Sequence, residues 1–185
     1  MDENISFKEV GLKNGLIAGI GCIILTLILY VINIELVLGF WVWLGYGIIV
    51  ALKVYTGYTL QKANDGVLEF KDGIKSIFPV SIVSLLVWIA FNGLLFTVFD
   101  PELTELSKEK AIERTVWVLE KSGADENTIE SALEEVEQQD FTPSLKNSAL
   151  NYAQSCIVGF LYTLVIAGFF HYSGKNNPIA RETEA

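Results

Sequence analysis

Six glutamates are the residues whose type and spacing first suggest chemistry. They form two sets with four-residue spacing, Glu105, Glu109 and Glu113, then Glu126, Glu130 and Glu134. In a helix this spacing places each set along one face, where like charges repel by about 0.2–0.5 kcal/mol per pair. A cation or a basic partner would relieve that repulsion, but a solvated face that keeps the helix soluble is the plainer interpretation. The chain contains no Asp-x-Asp-x-Asp-Gly calcium loop, so the spacing does not specify a divalent-ion site.

The glutamates belong to an acidic stretch, residues 100–140, which holds 13 acids and four bases. Its net charge of −9 equals that of the whole chain. Asp100 is a good N-cap and Pro101 a good first helical residue, Ser122-Gly123 ends that helix, and Asp125 caps a second one. Thr142-Pro143 then repeats the start signal. We therefore predict an acidic helical hairpin over residues 100–142.

Apolar residues recur within this stretch at helical steps of three and four. They are Leu103, Leu106, Ile112, Val116 and Leu119 in the first helix, and Ile129, Ala132, Leu133 and Val136 in the second. Each helix thus has one apolar stripe, which can be buried against the other helix, the bilayer surface or a partner.

Outside the acidic stretch the chain consists largely of long uncharged segments. They run from residue 14 to 34, 36 to 52, 76 to 99 and 147 to 174, and about 20 apolar residues are enough to cross a bilayer as a helix. The predicted fold is all-α: one polytopic membrane domain over residues 1–185 with spans at about 14–34, 37–57, 78–99 and 149–172. The hairpin lies between spans three and four, outside the membrane.

The predicted spans contain few polar groups. Gly15 and Gly19 share one face of span one and would let a neighbouring helix approach closely, and Asn92 would hydrogen-bond another helix. Lys53, near the end of span two, is expected to reach the membrane surface. Pro79 indicates a kink or a restart after a surface segment containing Phe70. No ionisable group is predicted at the centre of a span, which argues against a pump.

Other function classes lack their usual signatures. Cys22 and Cys156 fall inside spans and are interpreted as small packing residues, and the single histidine, His171, is interpreted as interfacial. The sequence contains no Gly-x-Ser-x-Gly, no His-Glu-x-x-His and no phosphate-binding glycine loop. We therefore predict no enzymatic activity, no metal and no cofactor. The acidic balance also argues against nucleic-acid binding.

Several short motifs of low individual specificity occur in the same order as in a known bacterial family, which the chain resembles. These motifs are GLKNGLIAGIG in span one, GVLEFKDGIKSIF before span three, FDPEL at its exit, and GADENTIESALEE in the second acidic helix. In this order and spacing, from about Gly11 to Tyr172, the chain resembles the membrane proteins grouped as domain of unknown function 4199. That resemblance implies four spans in the inner membrane and no assigned activity, and it supplies no catalytic residues.

The function indicated is an interaction or assembly component that uses the acidic hairpin. Its environment is the lipid bilayer, and its partner is a second copy or another membrane protein. The alternative is a small-solute or ion permeation protein formed by oligomerisation. Eight bases would be inside and five outside if the amino terminus is cytoplasmic, so both termini are predicted to be cytoplasmic and the hairpin periplasmic.

Labelling of a single cysteine tests this orientation. With Cys22 and Cys156 replaced by alanine, Ser122→Cys should react with an impermeant thiol reagent in intact cells, because the turn it occupies is predicted to be periplasmic. The double-alanine background should stay unlabelled. Reaction only after lysis would reverse the orientation.

Overall fold

The structure, a computed structural model, describes residues 7–141 and 144–175, and within these ranges all regular structure is helical. Its α-helices are α1 (Phe7–Ile32), α2 (Trp43–Ala63), α3 (Phe70–Leu94), α4 (Glu102–Ser122), α5 (Glu126–Gln138) and α6 (Leu145–Lys175). Two 3-10 turns, Ile34–Val37 and Phe40–Val42, join α1 to α2, and a π-helical segment, Leu95–Phe99, extends α3. The predicted start signal at Thr142-Pro143 lies outside the described residues.

Four of these helices are long and apolar enough to cross a membrane. They cover Phe7–Ile32, Phe40–Ala63, Phe70–Phe99 and Leu145–Gly174. The prediction of an all-α, four-span membrane protein is therefore confirmed. Exposed side chains such as Leu16, Ile20, Ile24 and Ile28, each about half accessible, lie on the outward surface of α1, where a bilayer would cover them.

Helix α3 is continuous where the sequence predicts a surface segment followed by a kink or a restart. It begins at Phe70 and passes through Pro79 without a break. Proline removes one backbone hydrogen bond, and the rest of the helix keeps its own. The chain turns between α2 and α3 at Asp65-Gly66, where Asp65 has φ 51° and Gly66 has φ 85°.

The bundle is built around the contact between α1 and α3, the most extensive pairing of helices, while α2 and α3 each also pack against α6. Three glycines of α1 bring the two backbones together. A Cβ on Gly11 would lie 2.1 Å from the carbonyl oxygen of Ser76. A Cβ on Gly15 or Gly19 would lie 2.9 Å from the Cβ of Val83 or Val87. Residues Gly11, Gly15 and Gly19 are called the glycine seam below.

Helices α4 and α5 pack against each other, and the residues of their apolar stripes are buried or half-buried. Gly123, with φ 77°, ends α4, and the amide of Ala124 donates to the carbonyl of Leu119, as in a Schellman motif. Asp125 occupies the N-cap of α5, and its carboxylate accepts a hydrogen bond from the hydroxyl of Thr128, which lowers the pKa of Asp125.

The start of α4 differs from the prediction. Pro101 occupies the N-cap position, and no side chain caps the helix. The carboxylate of Asp100 instead accepts a hydrogen bond of 2.9 Å from the hydroxyl of Tyr30 on α1. A tertiary contact has taken the carboxylate that the local pattern assigned to the helix terminus.

Close packing at the glycine seam predicts that an added methyl group destabilises the protein there but is tolerated at a glycine with open space around it. Gly11→Ala should lower the free energy of unfolding by about 1–3 kcal/mol, because the added Cβ meets backbone and the helices must separate. Unfolding of the purified protein in mild detergent, followed by circular dichroism, would measure this change.

The matched control is Gly47→Ala in α2, where nothing lies within 4 Å of an added Cβ. Alanine is the better helix former there by about 1 kcal/mol, so the variant should be neutral or stabilised. Equal destabilisation of both variants would contradict close packing at the seam.

Candidate functional site

The six glutamates with four-residue spacing are all exposed on the hairpin formed by α4 and α5. Glu113 forms an ion pair of 2.9 Å with Lys110, whose ammonium also lies 3.6 Å from Glu35 in the first 3-10 turn. These carboxylates, Glu113 first, raise the pKa of Lys110. Nowhere in residues 7–141 and 144–175 do three His, Cys, Asp or Glu side chains group as metal ligands.

Among the packing residues that the sequence suggested, the structure places Gly15 and Gly19 against α3. Asn92 is half-buried, and its amide donates to the backbone carbonyl of Trp88 at 2.8 Å, within its own helix. The ring of His171 lies at the end of α6, with Nδ1 3.3 Å from the carbonyl of Leu68. Both cysteines are free thiols.

Lys53 does not reach the membrane surface, contrary to the sequence prediction. Helix α2 continues to Ala63, so Lys53 lies at its midpoint, about 15 Å from either end at 1.5 Å per residue. Its side chain is 1% exposed. The ammonium donates to the carbonyl of Gly159 at 2.6 Å and to the hydroxyl of Thr163 at 3.1 Å, both on α6.

Lys53 belongs to a set of buried polar side chains contributed by all four spans. Within the described ranges these are Asn14, Thr26, Lys53, Thr56, Ser76, Ser81, Ser84 and Thr163, here called the polar core. The amide of Asn14 donates to the hydroxyl of Thr56 at 2.8 Å. Such side chains are expensive in a bilayer and usually line a functional path or join helices.

Ser81 is the polar-core residue whose hydrogen bonding is incomplete. Its Oγ is buried and has no hydrogen-bond partner within the described structure. It lies against Gly159, where an added Cβ would be only 2.9 Å from that oxygen. Gly159 therefore contacts both the Lys53 ammonium and the unpaired Ser81 hydroxyl.

Polar contacts continue toward both ends of the bundle. On the side of the hairpin, the indole of Trp88 donates to Thr26 Oγ1 at 3.0 Å, and the contact between Tyr30 and Asp100 lies beyond it. On the other side, the amide of Gln61 donates to the Phe170 carbonyl at 3.0 Å and to Ser173 Oγ at 3.1 Å. The bundle thus buries these polar groups among apolar side chains and has an apolar exterior.

The sequence predicts that no ionisable group lies at the centre of a span, and this prediction is wrong for Lys53. Among the described residues no Asp or Glu forms an ion pair with it. An ammonium at this depth, without a carboxylate, is the chemically most unusual group in the protein. It is the centre of the candidate site.

Fold and site together define a small polytopic membrane protein with four apolar helices around a polar core. The family described as protein of unknown function, DUF4199, matches residues 13–171, and the chain belongs to that family. No curated protein and no solved structure matches the chain.

The contact between Trp88 and Thr26 predicts a measurable loss of stability. Thr26→Val keeps the side-chain shape but leaves the buried indole N–H without its acceptor, so the free energy of unfolding should fall by about 1 kcal/mol. Tryptophan fluorescence during denaturation in detergent would follow it.

Thr97→Val serves as the control, because the Thr97 hydroxyl is exposed and bonds only the carbonyl of Gly93 in its own helix. Its effect should stay within about 0.5 kcal/mol. If the two variants lose the same free energy of unfolding, the hydrogen bond from Trp88 to Thr26 does not contribute to stability.

Proposed function

We propose that this protein is an interaction or assembly component of the bacterial inner membrane without enzymatic activity, and that its acidic hairpin contacts the partner. The observation that carries the proposal is how the hairpin is attached. It is a self-packed unit of two helices, and neither α4 nor α5 packs extensively against a membrane-spanning helix. Most of its surface therefore stays available to another molecule.

The attachment to the bundle is concentrated near the base of the hairpin. Leu103 is fully buried there, Asp100 accepts from Tyr30, and Lys110 pairs with Glu35. Further along α4, Trp117 and Val118 are exposed, at 59% and 49%, and the Lys121 ammonium lies 4.4 Å from the Trp117 ring centre. Tryptophan is enriched at protein contact surfaces, so the exposed Trp117 supports a partner at this part of the hairpin.

The negative net charge of the hairpin determines which kind of partner can bind it. Two hairpins that each carry −9 would repel, so a hairpin-to-hairpin contact between copies is disfavoured. A basic surface on another membrane protein is the complement. A homo-oligomer joined through the apolar spans is compatible with this role, because it leaves the hairpin unoccupied.

The periplasmic location of the hairpin, with both termini cytoplasmic, is part of the same proposal. The buried position of Lys53 removes one base from the inside count, which leaves seven against five. Lysine and arginine therefore remain in excess on the cytoplasmic side. The contact between Lys110 and Glu35 supports placing the first loop and the hairpin on one side.

Photo-crosslinking in native membranes tests the role of the hairpin. A photoreactive residue at Glu109 or Glu130 should give a discrete protein adduct, because both side chains are exposed on the hairpin. The control position is Phe169, 66% exposed on α6, which should react with lipid. Lipid adducts alone at all three positions would remove support for a protein partner.

Matched charge variants separate the acidic faces from net charge. Replacing Glu105, Glu109 and Glu113 by glutamine should reduce the adduct formed from Glu130 several-fold. Replacing Glu120, Glu135 and Glu137, which removes the same charge elsewhere on the hairpin, should reduce it less. Equal loss in the two variants would contradict recognition by the spaced faces.

A further inference from the structure

No Asp or Glu among the described residues balances the charge of Lys53. Its ammonium is almost fully buried at the midpoint of α2, and its two hydrogen-bond partners, the Gly159 carbonyl and the Thr163 hydroxyl, are uncharged. A lone charge in a low-dielectric interior is either neutralised by losing its proton or balanced by an ion of opposite sign.

We propose that Lys53 and Ser81 form a binding site for a small monovalent anion of the halide class. An ammonium has three N–H donors, and the bonds to Gly159 and Thr163 use two of them. The buried Ser81 hydroxyl is a second donor without a partner. One anion would accept from both groups and balance the charge at the same time.

The unpaired hydroxyl distinguishes this proposal from a neutral amine. Loss of the Lys53 proton would remove the charge but leave Ser81 Oγ buried and unsatisfied, which protein interiors avoid. The two donors are brought together by Gly159, since Lys53 Nζ lies 2.6 Å from its carbonyl oxygen and Ser81 packs on its α-carbon side. A side chain at position 159 would displace Ser81.

The neighbouring polar groups set the size and charge of the ligand. Thr56 accepts from Asn14 and donates to the Leu52 carbonyl, and Thr163 donates to Gly159, so these hydroxyl protons are already used. Two donors and a single positive charge suit a spherical monovalent ion better than a larger oxyanion, which needs more donors. The site is independent of the hairpin, and a bound ion is also what the alternative permeation class would require at its centre.

Thermal unfolding of the full chain in mild detergent tests the site. When chloride or bromide replaces gluconate at constant ionic strength, Tm should rise and saturate, because the ion binds only the folded state. Crystals grown with bromide should show an anomalous peak between Lys53 Nζ and Ser81 Oγ.

Variants assign the effect to the two donors. Ser81→Ala should weaken halide affinity about tenfold, the effect of losing one hydrogen bond to a charged group. Lys53→Met should abolish the halide dependence, whereas Lys62→Met, at an exposed lysine of the same helix, should keep it. If Lys53→Met does not fold, Ser81→Ala decides the question, because only an ion that contacts the Ser81 hydroxyl loses affinity when that hydroxyl is removed.

Two results would overturn the proposal. Equal Tm in chloride and gluconate for the wild-type protein would mean that Lys53 is buried as the neutral amine. An equal halide response in wild type, Ser81→Ala and, where it folds, Lys53→Met would make it a general salt effect.

Discussion

The close approach of α1 to α3 is the constraint on which the rest of the structure depends. Gly11, Gly15 and Gly19 allow backbone to meet backbone across the pair, which in a bilayer replaces the hydrophobic driving force that lipid does not provide between helices. As a result, the adjacent face of α1 points into the bundle and is buried there. It contains Asn14, Ala18, Cys22 and Thr26. Without this seam the polar side chains would face lipid.

The polar core is a consequence of that arrangement. Each span contributes at least one buried polar group, and most of these groups satisfy one another or a backbone carbonyl. Networks of this kind fix helix register, because a slipped helix would leave several partners unpaired. The Lys53 site lies where α2, α3 and α6 meet, so it shares its geometry with the contacts that hold the spans together.

The sequence predicts the fold class well, because the long apolar runs and the helix stop at Gly123 are local signals with direct physical causes. The sequence pattern misplaces Lys53, because a charged residue usually marks the end of a span. The largely uncharged residues after Lys53 indicate that the helix continues. Because α2 extends from Trp43 to Ala63, Lys53 lies at its centre. Asp100 was misassigned for another reason. Its partner, Tyr30, is remote in sequence, and no local pattern could have predicted that contact.

The widened last turn of α3 has a geometric consequence for the exposed part of the molecule. In the π-helical segment Leu95–Phe99, the amide of Asp100 donates to the carbonyl of Leu95, five residues back. A π turn accommodates one residue more than an α turn, and each residue of an α-helix advances the chain by about 100° around the axis. This segment therefore sets the rotational phase with which the chain leaves the bundle at Asp100. The direction in which the hairpin leaves the bundle is therefore encoded in five residues of the membrane span, four of them apolar.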